Sequence, residues 1–159
     1  MEIYLLRHGQ ATSKESNPER PLTPEGRNQV LIMAKWLAAL GVRFTRVISS
    51  SKKRALETAC LVARQTGFPV EKIVTDDRLL PESNGEKILS ILQSFAEEEK
   101  ILVVGHLPSL AEAAARLVGA GCIFQFAEAG LCRIDWQKEK DKFGVLIWFL
   151  HPQLSCLRE

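Results

Sequence analysis

Residues 1–10, Met1-Glu2-Ile3-Tyr4-Leu5-Leu6-Arg7-His8-Gly9-Gln10 (MEIYLLRHGQ), set an apolar run against a polar end. Ile3 to Leu6 read as a buried strand. Arg7, His8 and Gly9 follow with no turn signal before them, so the strand delivers a cation, an imidazole and a glycine to its carboxyl end. The same design recurs downstream. Arg46 to Ser49 (RVIS) is a second strand, leading through Ser50 and Ser51 into Lys52-Lys53-Arg54. Ile101 to Val104 (ILVV) is an unbroken apolar run, as expected of a central strand covered on both faces, and it ends in Gly105-His106.

Helix-period segments separate these strands. Thr23-Pro24-Glu25 supplies an N-cap, a proline at the first helical position and an acid in the first turn. Val30, Met33, Ala34, Leu37 and Leu40 then share one side, and Gly41 marks the stop. A second helix covers Lys52 to Thr66, with Ala55, Leu56, Ala59, Val62 and Ala63 inward and Gly67 as end signal. Ile73 and Val74 give a short strand, followed by the irregular DDRLLPESNG. A third helix is expected over Glu86 to Glu98 and a fourth over Pro108 to Val118. Strands near Leu131–Trp136 and Val145–Leu150 close the chain, joined by the charged run Lys138-Glu139-Lys140-Asp141-Lys142, read as a solvated hairpin connection. Alternating strands and helices imply a three-layer α/β/α domain with a mostly parallel central sheet and an antiparallel edge. Ligands bind such sheets beyond the carboxyl ends of the strands.

The 159 residues suit one domain, 1–159, and 46% hydrophobic with 25% charged residues supports a real core. A formal net charge of +2 argues against a nucleic-acid or membrane surface. No apolar run spans a bilayer, and the first residues lack a signal peptide's basic start and cleavage site, so a cytoplasmic location is expected. The four cysteines, Cys60, Cys122, Cys132 and Cys156, form no C-x-x-C pair and are most simply buried thiols in a reducing compartment.

Each polar strand end has an ordinary reading: a solvated arginine, exposed lysines, a structural histidine. Together they carry more. Cations in a helix's first turn oppose its dipole by up to about 1 kcal/mol each, and a bound anion reverses that sign. Lys52 and Lys53 read as exposed, whereas Arg54 is placed to point inward. Arg7, Arg54, His8 and His106 thus converge on one edge with few competing carboxylates. A metal site would need a third ligand, and His151 lies on a late strand.

At these residues the sequence resembles the histidine phosphatase superfamily, with the phosphoglycerate mutase-like fold, and within it the SixA-type phosphohistidine phosphatases. LRHGQA, RPLTPEGRNQ, SSSKKRALETA (with Ser51 where proline is usual), VGHLPSL and WFLHPQL match in order along nearly the whole chain. The resemblance implies that His8 is the nucleophile, that Arg7, Arg54 and His106 form the phosphate pocket, and that no cofactor or metal is required. It places a proton donor before the third helix, where Glu82 is either that donor or a solvated loop acid, with Asp76 and Asp77 as nearby alternatives. Gln10 and Asn17 line the first loop unassigned. The implied substrate is phosphohistidine on a partner protein, such as a phosphotransfer domain of a signalling relay, hydrolysed by a monomer. A small phosphate ester, or a phosphate-binding module without turnover, are the other readings. No long insertion is present, which favours an open site and disfavours mutase activity.

Overall fold

The computed structural model describes residues 1–119, 121–138 and 143–153. The first strand, β1 (Glu2–Arg7), alternates its side chains between two cores. Ile3 and Leu5 pack into one with Ile88, Ile91, Leu92, Leu110 and Leu117. Tyr4 and Leu6 pack into the other with Val30, Met33, Leu37, Ala59 and Val62. The first core is covered by α3 (Gly85–Gln93) and α4 (Ser109–Val118), the second by α1 (Pro24–Ala39) and α2 (Lys53–Thr66). Two helices on each face of one sheet make the expected three layers.

The remaining strands are β2 (Arg46–Ser49), β3 (Val74–Thr75), β4 (Lys100–Gly105), β5 (Leu131–Asp135) and β6 (Val145–Leu150). The sheet order is β3-β2-β4-β1-β5-β6. β3, β2, β4 and β1 run parallel, and β5 and β6 add the antiparallel edge. Ile101 to Val104 of β4 are fully buried at the centre, which explains their unbroken apolar run. Register then decides where function can sit. Arg7 faces Gly105 across β1/β4, and Ser49 faces Val104 across β2/β4. His8, Ser50 and His106 therefore leave the sheet side by side.

The third helix is shorter than its pattern suggested, ending at Gln93 rather than Glu98. The hydroxyl of Ser94 donates to Ile91 O at 2.6 Å, and the following amides of Ser94 and Phe95 turn back to Ile91 O and Leu92 O. Continuing would set Glu97, Glu98 and Glu99 on the negative end of the helix dipole. Lys138 instead brings its ammonium to Gln93 O and Phe95 O. That lysine is a C-terminal cap and not only a solvated hairpin charge; residues 139–142 of the same run lie outside the described residues.

Cys132 is buried on β5, and burial pushes its thiol up to about 12. Cys60 is half-buried, whereas Cys122 is exposed, against the expectation of a buried thiol. Cys156 lies outside the described residues. Among the described residues no helix is long and apolar enough to cross a membrane, and no group of three His, Cys, Asp or Glu side chains could hold a metal ion.

Candidate active site

The loop after β1 is fixed by close backbone approach. A Cβ on Gly9 would meet Gly26 O at 2.6 Å, and one on Gly26 would meet Gln10 O at 2.0 Å. Only glycine at both positions lets the strand end lie against the start of α1. Gly9 N–H donates to Thr58 Oγ1 at 3.2 Å, and that hydroxyl donates to Arg54 O at 2.7 Å. Gln10 ties the same loop to the N-cap of α1 by accepting from Thr23 Oγ1 at 2.7 Å.

His8 is 8% exposed, Arg54 8% and His106 3%. Nδ1 of His8 lies 2.7 Å from Gly9 O, a pure acceptor, so Nδ1 carries the proton and Nε2 holds a lone pair. Arg54 Nε donates to that Nε2 at 3.2 Å. Arg54 Nη2 lies 3.4 Å from Nδ1 of His106, whose Nε2 is 2.9 Å from Ser50 Oγ. The two rings stand 5.0 Å apart. One guanidinium is thus shared between two imidazoles. Burial, reinforced by Arg54, Arg7 and Arg20, pushes His8 down to about 4 against the pull of Gly9 O. Burial, His8, Arg54, Lys52 and Arg20 push His106 down to about 3. Both rings are neutral at pH 7.

Arg7 donates through Nη1 to Phe126 O at 2.9 Å, in the segment before β5, and its Nε is buried without a partner among the described residues. Arg20 donates through Nε to Thr12 O at 3.0 Å. Among the described residues no carboxylate forms an ion pair with Arg7, Arg20 or Arg54. A cation cluster held by carbonyls and neutral rings is suited to bind a tetrahedral anion. The three consecutive cations after Ser51 separate as expected. Lys52 and Lys53 are exposed, Lys53 pairing with Glu19, while Arg54 turns inward.

Among the described residues none of the candidate acids hydrogen-bonds to this cluster through its side chain. Glu82 is exposed in the turn before α3 and, among the described residues, makes no hydrogen bond to the cluster. Asp76 is paired with Arg78 at 2.7 Å, which holds its carboxyl below the usual range. Asp77 opens the short 3-10 turn Asp77–Leu79. Asn17 accepts from Glu19 N–H at 3.0 Å and shapes the first loop. His151 packs edge-on against Phe149. Arg20 is the residue that sequence reading passed over. It lies in the quoted RPLTPEGRNQ stretch, but only the closure of Thr12 N–H onto Pro21 O at 2.9 Å returns it to His8.

The family model of the histidine phosphatase superfamily (branch 1) matches residues 3–86. Phosphohistidine phosphatase SixA of Escherichia coli is 31% identical over 155 residues, covering 96% of this chain and 94% of the relative. The SixA homolog of Haemophilus influenzae is 26% identical over 151 residues, covering 89% and 92%. The solved protein histidine phosphatase SixA complexed with tungstate superposes with a TM-score of 0.87 at 25% identity, covering 97% of this chain and 99% of that one. With 96% of its length matched by a relative 31% identical, and with Arg7, His8, Arg54 and His106 gathered beyond the strand ends, the chain belongs to the histidine phosphatase superfamily, as a phosphatase of the SixA type.

Proposed function

We propose that the enzyme removes phosphoryl groups from phosphohistidine on a partner signalling protein, such as a phosphotransfer domain, through a covalent phosphohistidine at His8. The observation that carries this is the orientation of His8: Nδ1–H is tied to Gly9 O, leaving the Nε2 lone pair against Arg54. In the first half-reaction Nε2 attacks phosphorus, and the bond from phosphorus to the substrate nitrogen breaks with its electron pair. In the second, water attacks phosphorus and the P–Nε2 bond returns its pair to His8. Arg7 and Arg54 hold the nonbridging oxygens beside His106, and losing one such donor costs about 10²–10³ in rate.

The choice of leaving group follows from the acids. An alkoxide needs a strong proton donor, and the acids near α3 are exposed or paired. A departing imidazole is readily protonated and needs less help. The names of the two SixA relatives point the same way. The test compares turnover of a phosphorylated phosphotransfer domain with that of an alkyl phosphate monoester, in wild type and His8→Ala. The expected result is higher kcat/KM on phosphohistidine and loss of both activities in the variant. Higher kcat/KM on the ester would make the enzyme a small-molecule phosphomonoesterase. Equal inertness of both proteins on both substrates would leave only a phosphate-binding module.

A further inference from the structure

We propose that Ser50 is a positioning residue that holds His106 as its Nε2–H tautomer, so that Nδ1 faces the phosphoryl group and passes one proton in each half-reaction. The proposal rests on the phosphohistidine mechanism above.

The serines after Val47-Ile48 are both fully buried, and their hydroxyls are used differently. Ser49 Oγ donates to Ser50 O at 2.9 Å and serves the backbone. Ser50 N–H donates to Val104 O at 3.0 Å, which seats Ser50 on the β2/β4 seam beside His106. Its Oγ accepts from Lys52 N–H at 3.3 Å and lies 2.9 Å from His106 Nε2. A hydroxyl oxygen has two acceptor sites, so Ser50 Oγ can take Lys52 N–H and His106 Nε2–H together.

The opposite tautomer fails on the other side of the ring. Nδ1 faces Arg54 Nη2, and a guanidinium only donates. A proton on Nδ1 would set two donors against each other. The imidazolium meets the same conflict, and it also faces His8 from β1, Arg54 and Lys52 from the start of α2, and Arg20 from the first loop. The lone pairs of His8 Nε2 and His106 Nδ1 therefore converge on one guanidinium.

A bound phosphoryl dianion changes this balance, because its charge favours protonated His106. On binding, Nδ1 takes a proton from solvent. As His8 Nε2 bonds to phosphorus, the substrate P–N bond breaks, and its electron pair takes the Nδ1 proton. When water attacks the phosphorylated His8, the P–Nε2 pair returns to His8 and the water proton goes to Nδ1. One imidazole thus gives a proton in the first half and regains one in the second. Ser50 touches none of the reacting atoms and acts through His106.

The test reads the tautomer directly. With three histidines in the chain, long-range 1H–15N spectra of labelled protein are assigned through His106→Gln. The expected wild-type pattern at neutral pH is a bare Nδ1 and a protonated Nε2. Ser50→Ala should mix the two tautomers, lower kcat on phosphoramidate at least about 10-fold, and shift a limb of the pH–rate profile with little change in KM. Ser50→Thr, which keeps the hydroxyl, should restore all three. A wild-type Nδ1–H overturns the proposal, as does a folded Ser50→Ala with unchanged tautomer and pH profile. The spectrum needs no turnover, so the result stands apart from whether His8 accepts the phosphoryl group.

Discussion

Arg54 holds His8 Nε2 and His106 Nδ1 at once, so an arriving phosphoryl group must take over those N–H groups to reach the nucleophile. The remaining positive charge then decides how tightly it binds. Arg20 contributes to that field, since its charge depresses His8, His106 and Arg54 alike. Arg20→Ala should weaken inhibition by vanadate or tungstate about 10-fold and raise KM, with kcat less affected; unchanged inhibition would place Arg20 outside the phosphate pocket. Glu82 tests the leaving-group argument. Glu82→Gln should leave phosphohistidine turnover intact, and an alkyl phosphate assay shows whether this acid protonates esters. A matching loss on both substrates would contradict the view that an imidazole leaves without it.

Among the elements, the contact between the β1 end and the start of α1 is the tightest in the site. A Cβ at Gly26 would stand 2.0 Å from Gln10 O and 2.8 Å from Gln10 N, both backbone atoms with no rotamer to yield. Gly26→Ala should cost about 1–3 kcal/mol, seen as a lower thermal midpoint, and should lower activity because the displaced loop carries His8. An unchanged midpoint would mean that the loop relaxes freely. Gly26 was legible in the sequence only as part of a helix start after Thr23-Pro24. The strands and most helices were legible because their periodicities are local. His8, Arg54 and His106 were legible because strand ends in a parallel sheet share one edge. The end of α3 was not, since Lys138 reaches its carbonyls from 45 residues away. Arg20 and Ser50 were missed for a related reason. Their partners, Thr12, Pro21 and His106, come from loop closure and strand register, which leave no pattern in the residues themselves.

For the whole molecule, the site couples function to stability through pH. His8 and His106 titrate near 6.5 when unfolded but are lowered to about 4 and about 3 in the fold. Between those values the unfolded chain binds more protons, so stability rises with pH through this window and is complete above about pH 6.5. Acidification from pH 7 to pH 4.5 should therefore lower the urea midpoint, and His106→Gln should flatten that dependence; a midpoint that does not fall would contradict the burial of neutral rings. The identity of the nucleophile remains the claim on which the mechanism turns. Rapid quenching of the enzyme with 32P-labelled phosphohistidine substrate, under alkaline conditions that preserve the P–N bond, followed by mapping of the labelled peptide, tests it most directly. Label on His8, absent from His8→Ala, is the expected result. Label on another residue, or wild-type turnover by His8→Ala, would contradict it.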